Sequence, residues 1–243
     1  MNIFNSFIVS KYIAHRGYHT ENAPENSLAA FQNAIDAGFG IELDIQRISD
    51  GTIVVFHDES LSRMTGKDGY VRMLKKSDLK KYKLKGTEEC IPTFSEVLKL
   101  VDGRVPLLIE IKNDGKVGEF EKDVLASLKN YKGEFAIQSF NPFVLLWFKE
   151  NAPEIMRGQL SSFFKGEKVP FLRKCVLKRM KFNKQTKPDF ISYNAKDLPN
   201  RFVKKYNDLP LLAWTIKSNE DFMKAVKHCD NMIFEGFDIT KAL

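Results

Sequence analysis

Glu42 and Asp44, in the run FGIELDI (39–45), stand two residues apart, and Glu110 and Lys112, in VPLLIEIK (105–112), repeat that spacing. Residues two apart on a strand point to one face. Two carboxylates on one buried face repel each other and lose hydration, at a cost of order several kcal/mol unless a cation or a proton compensates. A bound metal is the economical compensation. Glu110 supplies a third oxygen, and Lys112 places a cation on the same face. Three carboxylates with no thiolate nearby suit one hard divalent ion, Mg²⁺ or Ca²⁺, which completes its shell with water and a substrate oxygen. Either pair alone is as well explained by rim ion pairs with Arg or Lys; together they point to a site.

His15, Arg16 and Gly17 directly follow the apolar run KYIAH (11–15). Gly17 lets the backbone turn sharply beside a ligand, and an arginine there can grip phosphate. His57 ends the run TIVVFH (52–57), just past the acids. Two imidazoles that face one phosphorus can divide the proton transfers, one accepting and the other supplying. Breaking a P–O bond with a poor alkoxide leaving group requires both. The position of His57 on a rim extension leans toward the acid, but the sequence leaves the assignment open. The other two histidines read as structural, His19 in a loop and His228 at a helix end whose dipole favours its charge.

These groups can meet only if several strands deliver them to one end of a sheet. Short β-rich runs alternate with longer amphipathic ones, which favours parallel strands joined by helices. Eight candidate strands emerge, at 11–15, 39–45, 105–111, 135–139, 155–161, 189–194, 210–216 and 231–235. A ninth, short run at 52–57 follows a Ser-Asp-Gly turn and extends the second strand as a hairpin. Helix start signals precede LAAFQNAIDAG (Asn26 or Ser27, with Gly38 as stop) and FSEVLKLV (Pro92-Thr93, with Gly103 as stop). Further helices are expected in GEFEKDVLASLKN, PFVLLWFKEN and SNEDFMKAVKH.

The count fits an α/β fold of the (β/α)8 TIM-barrel type, in which catalytic groups sit at the carboxyl ends of strands. Glu42 and Asp44 are expected near the end of theirs. The lysine-rich segment from about residue 58 to 92 has no central-strand pattern and reads as a small insertion over the barrel mouth. No repeat or linker divides the chain, so residues 1–243 read as a single catalytic domain.

Composition excludes other classes. No apolar run approaches the roughly 18 residues of a membrane span. The N-terminal MNIFNSFIVSKY lacks a basic region and runs directly into the first strand, so a cytoplasmic address is expected. Cys90, Cys175 and Cys229 are far apart and odd in number, so they read as buried or inert thiols rather than disulfides or metal ligands. Most of the net charge of +7 arises between Lys165 and Lys187, which holds nine basic residues against Glu167 alone. Such a run usually solvates a helix face. The segment VPFLRKCVLKRMKF interleaves Phe171, Leu172, Val176 and Met180 with cations, so a weak contact with an anionic membrane surface is the alternative. No recognition motif accompanies the charge, and no nucleic-acid partner is expected.

The residues together resemble the glycerophosphodiester phosphodiesterase family. The resemblance rests on AHRG (14–17), PENS (24–27), IELDI (41–45), SDGTIVVFHD (49–58), L.R.TG (61–66), IPTFSEVL (91–98), IEIK (109–112), QSF (138–140) and AWT (213–215), in order along nearly the whole chain. It implies a metal-dependent hydrolase that converts a glycerophosphodiester into glycerol 3-phosphate and an alcohol. His15 and His57 would be acid and base, and Glu42, Asp44 and Glu110 the ligands of one divalent ion. Arg16 and Lys112 would neutralise the phosphate, and Trp214 would wall the glycerol or leaving group. Glu25 and Asp58 would orient Arg16 or a histidine. Two departures stand out: Glu235, in IFEGFD, occupies the place of a usual aspartate, and the stretch after DFISYN lacks the family's usual pattern. The competing readings are a lysophospholipase D-like or phospholipase-like enzyme acting on membrane phosphodiesters, and a catalytically silent phosphodiester-binding protein.

Overall fold

The computed structural model describes residues 3–166 and 168–242, so Glu167, the single acid of the basic run, lies outside the described residues, as do Met1, Asn2 and Leu243. Nine strands form: β1 (Ile13–Ala14), β2 (Gly40–Arg47), β3 (Ile53–Val55), β4 (Leu107–Ile111), β5 (Phe135–Ser139), β6 (Arg157–Ser161), β7 (Phe190–Asn194), β8 (Leu211–Ile216) and β9 (Asn231–Phe234). Their hydrogen-bonded order is β1-β9-β8-β7-β6-β5-β4-β2-β3, and β1 also pairs with β2. Apart from the edge strand β3, this is the strand order of a (β/α)8 barrel, as expected. The helices are α1 (Phe7–Ser10), α2 (Leu28–Asp36), α3 (Ser62–Thr65), α4 (Phe94–Val101), α5 (Glu119–Leu128), α6 (Pro142–Asn151), α7 (Phe171–Leu177), α8 (Asn183–Thr186) and α9 (Asn219–Ala225). The chain divides into two compact units, one of Ala14–Phe135 and the other of the remaining residues.

In the first unit, β2 runs parallel to β4 with Asp44 opposite Glu110. Ile41, Leu43, Ile45, Leu107 and Ile109 along these strands are fully buried. Each such side chain contributes about 1.5–3 kcal/mol through removal from water. That burial fixes the register, because a one-residue slip would exchange the apolar set for the acids. The antiparallel β3 pairs with β2 from Ile45 to Arg47. The hairpin therefore carries β2 past the acids, and Glu42 and Asp44 sit within the strand rather than near its end as the sequence suggests.

Helix α2 starts where Ser27 accepts a hydrogen bond from the Ala30 amide, and α4 starts in a capping box between Thr93 and Glu96. Residues 58–92 form α3 and two short 3-10 turns, and their Leu61, Met64, Val71, Leu74, Leu79, Leu84 and Ile91 share a core with Ile48, Val54 and Phe56. The insertion is thus a packed structure anchored on the β2–β3 hairpin, despite its lysines.

In the second unit, β6, β7, β8 and β9 pair in parallel. The N-terminal segment does not run directly into the first strand. It forms a 3-10 turn and α1, tied to β9 by the Asn231 amide, which donates to the carbonyls of Ile8 (2.7 Å) and Lys11 (2.6 Å). The basic run forms two short helices, α7 and α8, around a turn where Met180 is buried. All three cysteines are free and partly exposed rather than buried, and burial with the nearby Asp230 pushes the Cys229 thiol up to about 12.

Gly17 seats α2 beside the end of β1. Its φ is +82°, and a Cβ there would stand 2.9 Å from the Ala30 carbonyl carbon and from the Phe31 ring. Gly17→Ala is expected to destabilise the fold by about 1–3 kcal/mol through overpacking and backbone strain. A urea midpoint equal to that of the wild type would refute this account of the turn.

Candidate active site

Strand parity brings Glu42 and Asp44 to one face of β2, and the β2–β4 register brings Glu110 alongside. All three are buried, at 2%, 1% and 8% exposure. An oxygen of each lies within 4.8 Å of the others. An all-oxygen donor set at this spacing, withdrawn from water, fits a hard divalent ion.

Protein groups compensate part of the charge. The Arg16 amide donates to Glu42 Oε2 (3.0 Å), and the Asn26 side-chain amide donates to Asp44 Oδ2 (2.9 Å). Lys112 Nζ lies 2.8 Å from Glu110 and 3.3 Å from Asp44, and Arg16 Nε lies 3.4 Å from Asp44. The consequences diverge. Burial would raise Asp44, but Lys112, His57 and Arg16 hold it far below the usual carboxylate range. Glu42 moves the other way: burial, with Asp44 and Glu110 beside it, pushes it well up. Glu110 is also raised by burial, against the pull of Lys112.

The turn after β1 supplies Arg16. Its backbone is left-handed (φ 57°), as is that of Asn26 (φ 56°), and the Asn26 amide closes on the Arg16 carbonyl at 2.9 Å. Non-glycine residues hold this conformation only where neighbours over-determine it. Here the Arg16 guanidinium is fixed by Glu25 at 2.5 Å. His15 is half-buried between β1 and Arg16.

His57 follows β3, and Gln46 of β2 donates to the carbonyls of Phe56 (2.7 Å), His57 (3.1 Å) and Asp58 (3.0 Å). Its Nδ1 stands 2.6 Å from Asp58 Oδ1. Although burial would raise the Asp58 carboxyl, Arg63 and His57 hold it at about 2. An ionised carboxylate only accepts, so Nδ1 carries the proton and Nε2 presents its lone pair. Burial, outweighing the attraction of Asp44, lowers His57 to about 4, and the ring is neutral at pH 7.

Of the residues singled out in the sequence, Arg16, Glu25, Glu42, Asp44, Glu110 and Lys112 form one bonded cluster, with His57 and Asp58 joined to it through Arg63. Trp214 and Glu235 belong to the other compact unit. Trp214, on β8, packs edge-on against Phe140 at 5.7 Å, and its buried Nε1 has no hydrogen-bond partner among the described residues. Glu235 pairs with Lys217. Asn26, Gln46 and Arg63 were not singled out. Asn26 and Arg63 lie inside the matched PENS and L.R.TG motifs, which was the available signal.

Fold and site together define a (β/α)8 barrel with a buried three-acid cluster flanked by an arginine and a lysine. The glycerophosphoryl diester phosphodiesterase family model matches residues 15–236, and the chain belongs to that family. A glycerophosphodiester phosphodiesterase of Caldanaerobacter subterraneus subsp. tengcongensis is 38% identical over 159 residues, 61% of this chain and 65% of that protein. One from Bacillus altitudinis is 33% identical over 160 residues, covering 60% and 64%. The matches span just under two thirds of the length of these two relatives. The solved structure of an Oleispira antarctica phosphodiesterase in complex with the product sn-glycerol-3-phosphate matches with a TM-score of 0.77 at 25% identity, over 96% of both chains.

The raised Glu42 has a pH consequence. In metal-free protein it keeps a proton at pH values where a solvated glutamate has lost it, whereas a cation requires the ionised form. Metal binding should therefore release protons, and affinity should strengthen as pH rises above the ordinary carboxylate range. Calorimetry in buffers of different ionisation enthalpy measures this; an affinity independent of pH between 5 and 8 would contradict it.

Proposed function

We propose that this chain is a single-domain, divalent-metal-dependent phosphodiesterase, spanning residues 1–243, that hydrolyses glycerophosphodiesters to glycerol 3-phosphate and an alcohol. The observation that carries the reading is the buried Glu42–Asp44–Glu110 triad with Arg16 and Lys112 on its flanks. The product held by the Oleispira antarctica neighbour supports the substrate class.

Glu42, Asp44 and Glu110 would hold one Mg²⁺ or Ca²⁺, which when bound withdraws charge from the phosphoryl oxygens. Arg16 and Lys112 grip the phosphate and stabilise charge that develops on it. His57 accepts, at Nε2, the proton of the attacking hydroxyl as the new O–P bond forms. The assignment reverses the lean toward acid given by its rim position, because Asp58 occupies the proton on Nδ1. His15 then protonates the alcohol oxygen as its bond to phosphorus breaks. Glu25 orients Arg16, and Asp58 orients His57. Three free thiols suit the reducing cytoplasm.

The test is turnover of glycerophosphocholine and glycerophosphoethanolamine by metal-free protein and with each ion restored. Glu42→Ala and Glu110→Ala should weaken metal binding, and His15→Ala and His57→Ala should each cost roughly 10²-fold or more in kcat with little change in affinity. A nitrophenyl phosphodiester, whose leaving group needs no proton, should rescue His15→Ala but not His57→Ala. Near-wild-type turnover by both histidine variants would overturn the mechanism.

A contact with anionic membranes is favoured by one observation. Helix α7 buries none of its residues, and Phe171 and Leu172 are 76% and 78% exposed among the cations of the basic run. Met180, which the sequence grouped with them, is buried and takes no part. Two exposed apolar side chains and several lysines match the two forces that hold a helix on an anionic surface. In co-sedimentation with phosphatidylglycerol vesicles, reversing Lys174, Lys178 and Lys181 or replacing Phe171 and Leu172 by Ser should release the protein. Equal binding by all three proteins, or none by the wild type at 0.15 M salt, would leave the run as a solvated helix face.

A further inference from the structure

From α3 of the lysine-rich insertion, Arg63 reaches into the cluster, where it meets Glu25 and Asp58. Its NH1 and NH2 lie 2.8 Å from the two oxygens of Glu25, while its Nε and NH2 lie 2.6 and 2.9 Å from the two oxygens of Asp58. One guanidinium thus makes a fork-to-fork pair with each of two carboxylates. Those carboxylates are not idle: Glu25 holds the Arg16 guanidinium, and Asp58 holds the His57 ring.

The base of this arrangement is rigid. Met64, next to Arg63, is buried in the core of the insertion, its carbonyl accepts from the Lys85 amide at 2.7 Å, and the amides of Leu61 and Val71 close on Gly69 and Glu59. The planar fork of arginine presents donors on two edges in fixed geometry, which a lysine ammonium cannot reproduce. An ordinary surface ion pair contributes little. Four bonds that converge on one fork and fix two other working groups are a different case.

We infer that Arg63 is a positioning residue for the reaction, the strut through which the 58–92 insertion holds the phosphate-gripping Arg16 and the proton-accepting His57 in one geometry. The inference rests on the phosphodiesterase reading for its kinetic consequence, but the positions of the two side chains are measurable without turnover. Arg63 bonds to Glu25 and Asp58, one step from Arg16 and His57 and two from Asp44, so its loss acts first on the guanidinium of Arg16 and on the imidazole.

The test compares Arg63→Met, Arg63→Lys and Asp58→Asn with the double variant Arg63→Met/Asp58→Asn in the full chain. In wild-type protein the His57 Nδ1 proton, hydrogen-bonded to Asp58, should be visible by imidazole ¹H–¹⁵N NMR and slow to exchange. It should broaden or vanish in both Arg63 variants. With glycerophosphocholine, each should lose roughly 10–100-fold in kcat, the usual scale for a group that orients a catalytic side chain. KM should change by no more than a few-fold, Mg²⁺ affinity by calorimetry should be retained, and the double variant should be little worse than the worse single. If Arg63→Met melts too low for assay, Arg63→Lys, which keeps the charge and most of the volume, carries the comparison. An unchanged Nδ1 signal in the folded Arg63 variants would overturn the inference whether or not the wild type turns over. So would kcat within twofold of wild type, or a loss that follows metal affinity. A wild type inactive on every diester, with the NMR change intact, would instead sink the phosphodiesterase reading and leave the strut standing.

Discussion

Three carboxylates held within 4.8 Å of one another in a buried strand pair are the constraint to which the rest of this site answers. Like charges so placed cost more than any single surface interaction returns, and the apolar burial along β2 and β4 is what forces them together. The compensation is uneven. Asp44 receives Lys112, Arg16 and Asn26 and stays ionised, whereas Glu42, buried with Asp44 and Glu110 beside it, is driven toward its protonated form. The geometry that a cation can exploit is therefore already built, with a proton as its stand-in on Glu42.

The same demand explains the odd backbone of the turn after β1. To bring both a backbone amide to Glu42 and a guanidinium to Asp44, Arg16 takes a left-handed conformation, and Asn26 takes one as well to reach Asp44 while closing on the Arg16 carbonyl. Gly17, with a φ no side chain tolerates well, then lets α2 pack against the turn. Strain is concentrated where ligand-facing groups must converge, and the packed helix opposes its release.

Much of this was legible in the sequence because strand geometry is simple. Period-two spacing alone put Glu42 with Asp44 and Glu110 with Lys112, and the alternation of short and long apolar runs gave eight barrel strands whose bounds shifted by at most two residues. What stayed hidden has a common cause: it depends on contacts between residues distant in the chain. The core of the insertion is spread over residues that show no period, so 58–92 read only as lysine-rich. Arg63 lies 38 residues from Glu25, and nothing local to either marks the pair. The same cause hid α1, where Asn231, more than two hundred residues away, supplies the hydrogen bonds that hold the turn. Side-chain exposure was equally illegible, since Phe171 and Met180 look alike in sequence but only one is buried.

The bonded groups alternate in sign from the triad outward: Glu110, Lys112, Asp44, Arg16, Glu25, Arg63, Asp58 and then the imidazole of His57. Within this series every cation sits between two anions. Glu42, attached through the Arg16 amide, adds one more acid. With all five carboxylates ionised they outnumber the three cations by two, and the proton that burial favours on Glu42 offsets part of that excess. A divalent ion held by Glu42, Asp44 and Glu110 would supply the matching charge. His57 stands at the end of this series as a neutral ring whose Nδ1 proton is held by Asp58, which leaves Nε2 able to accept a proton.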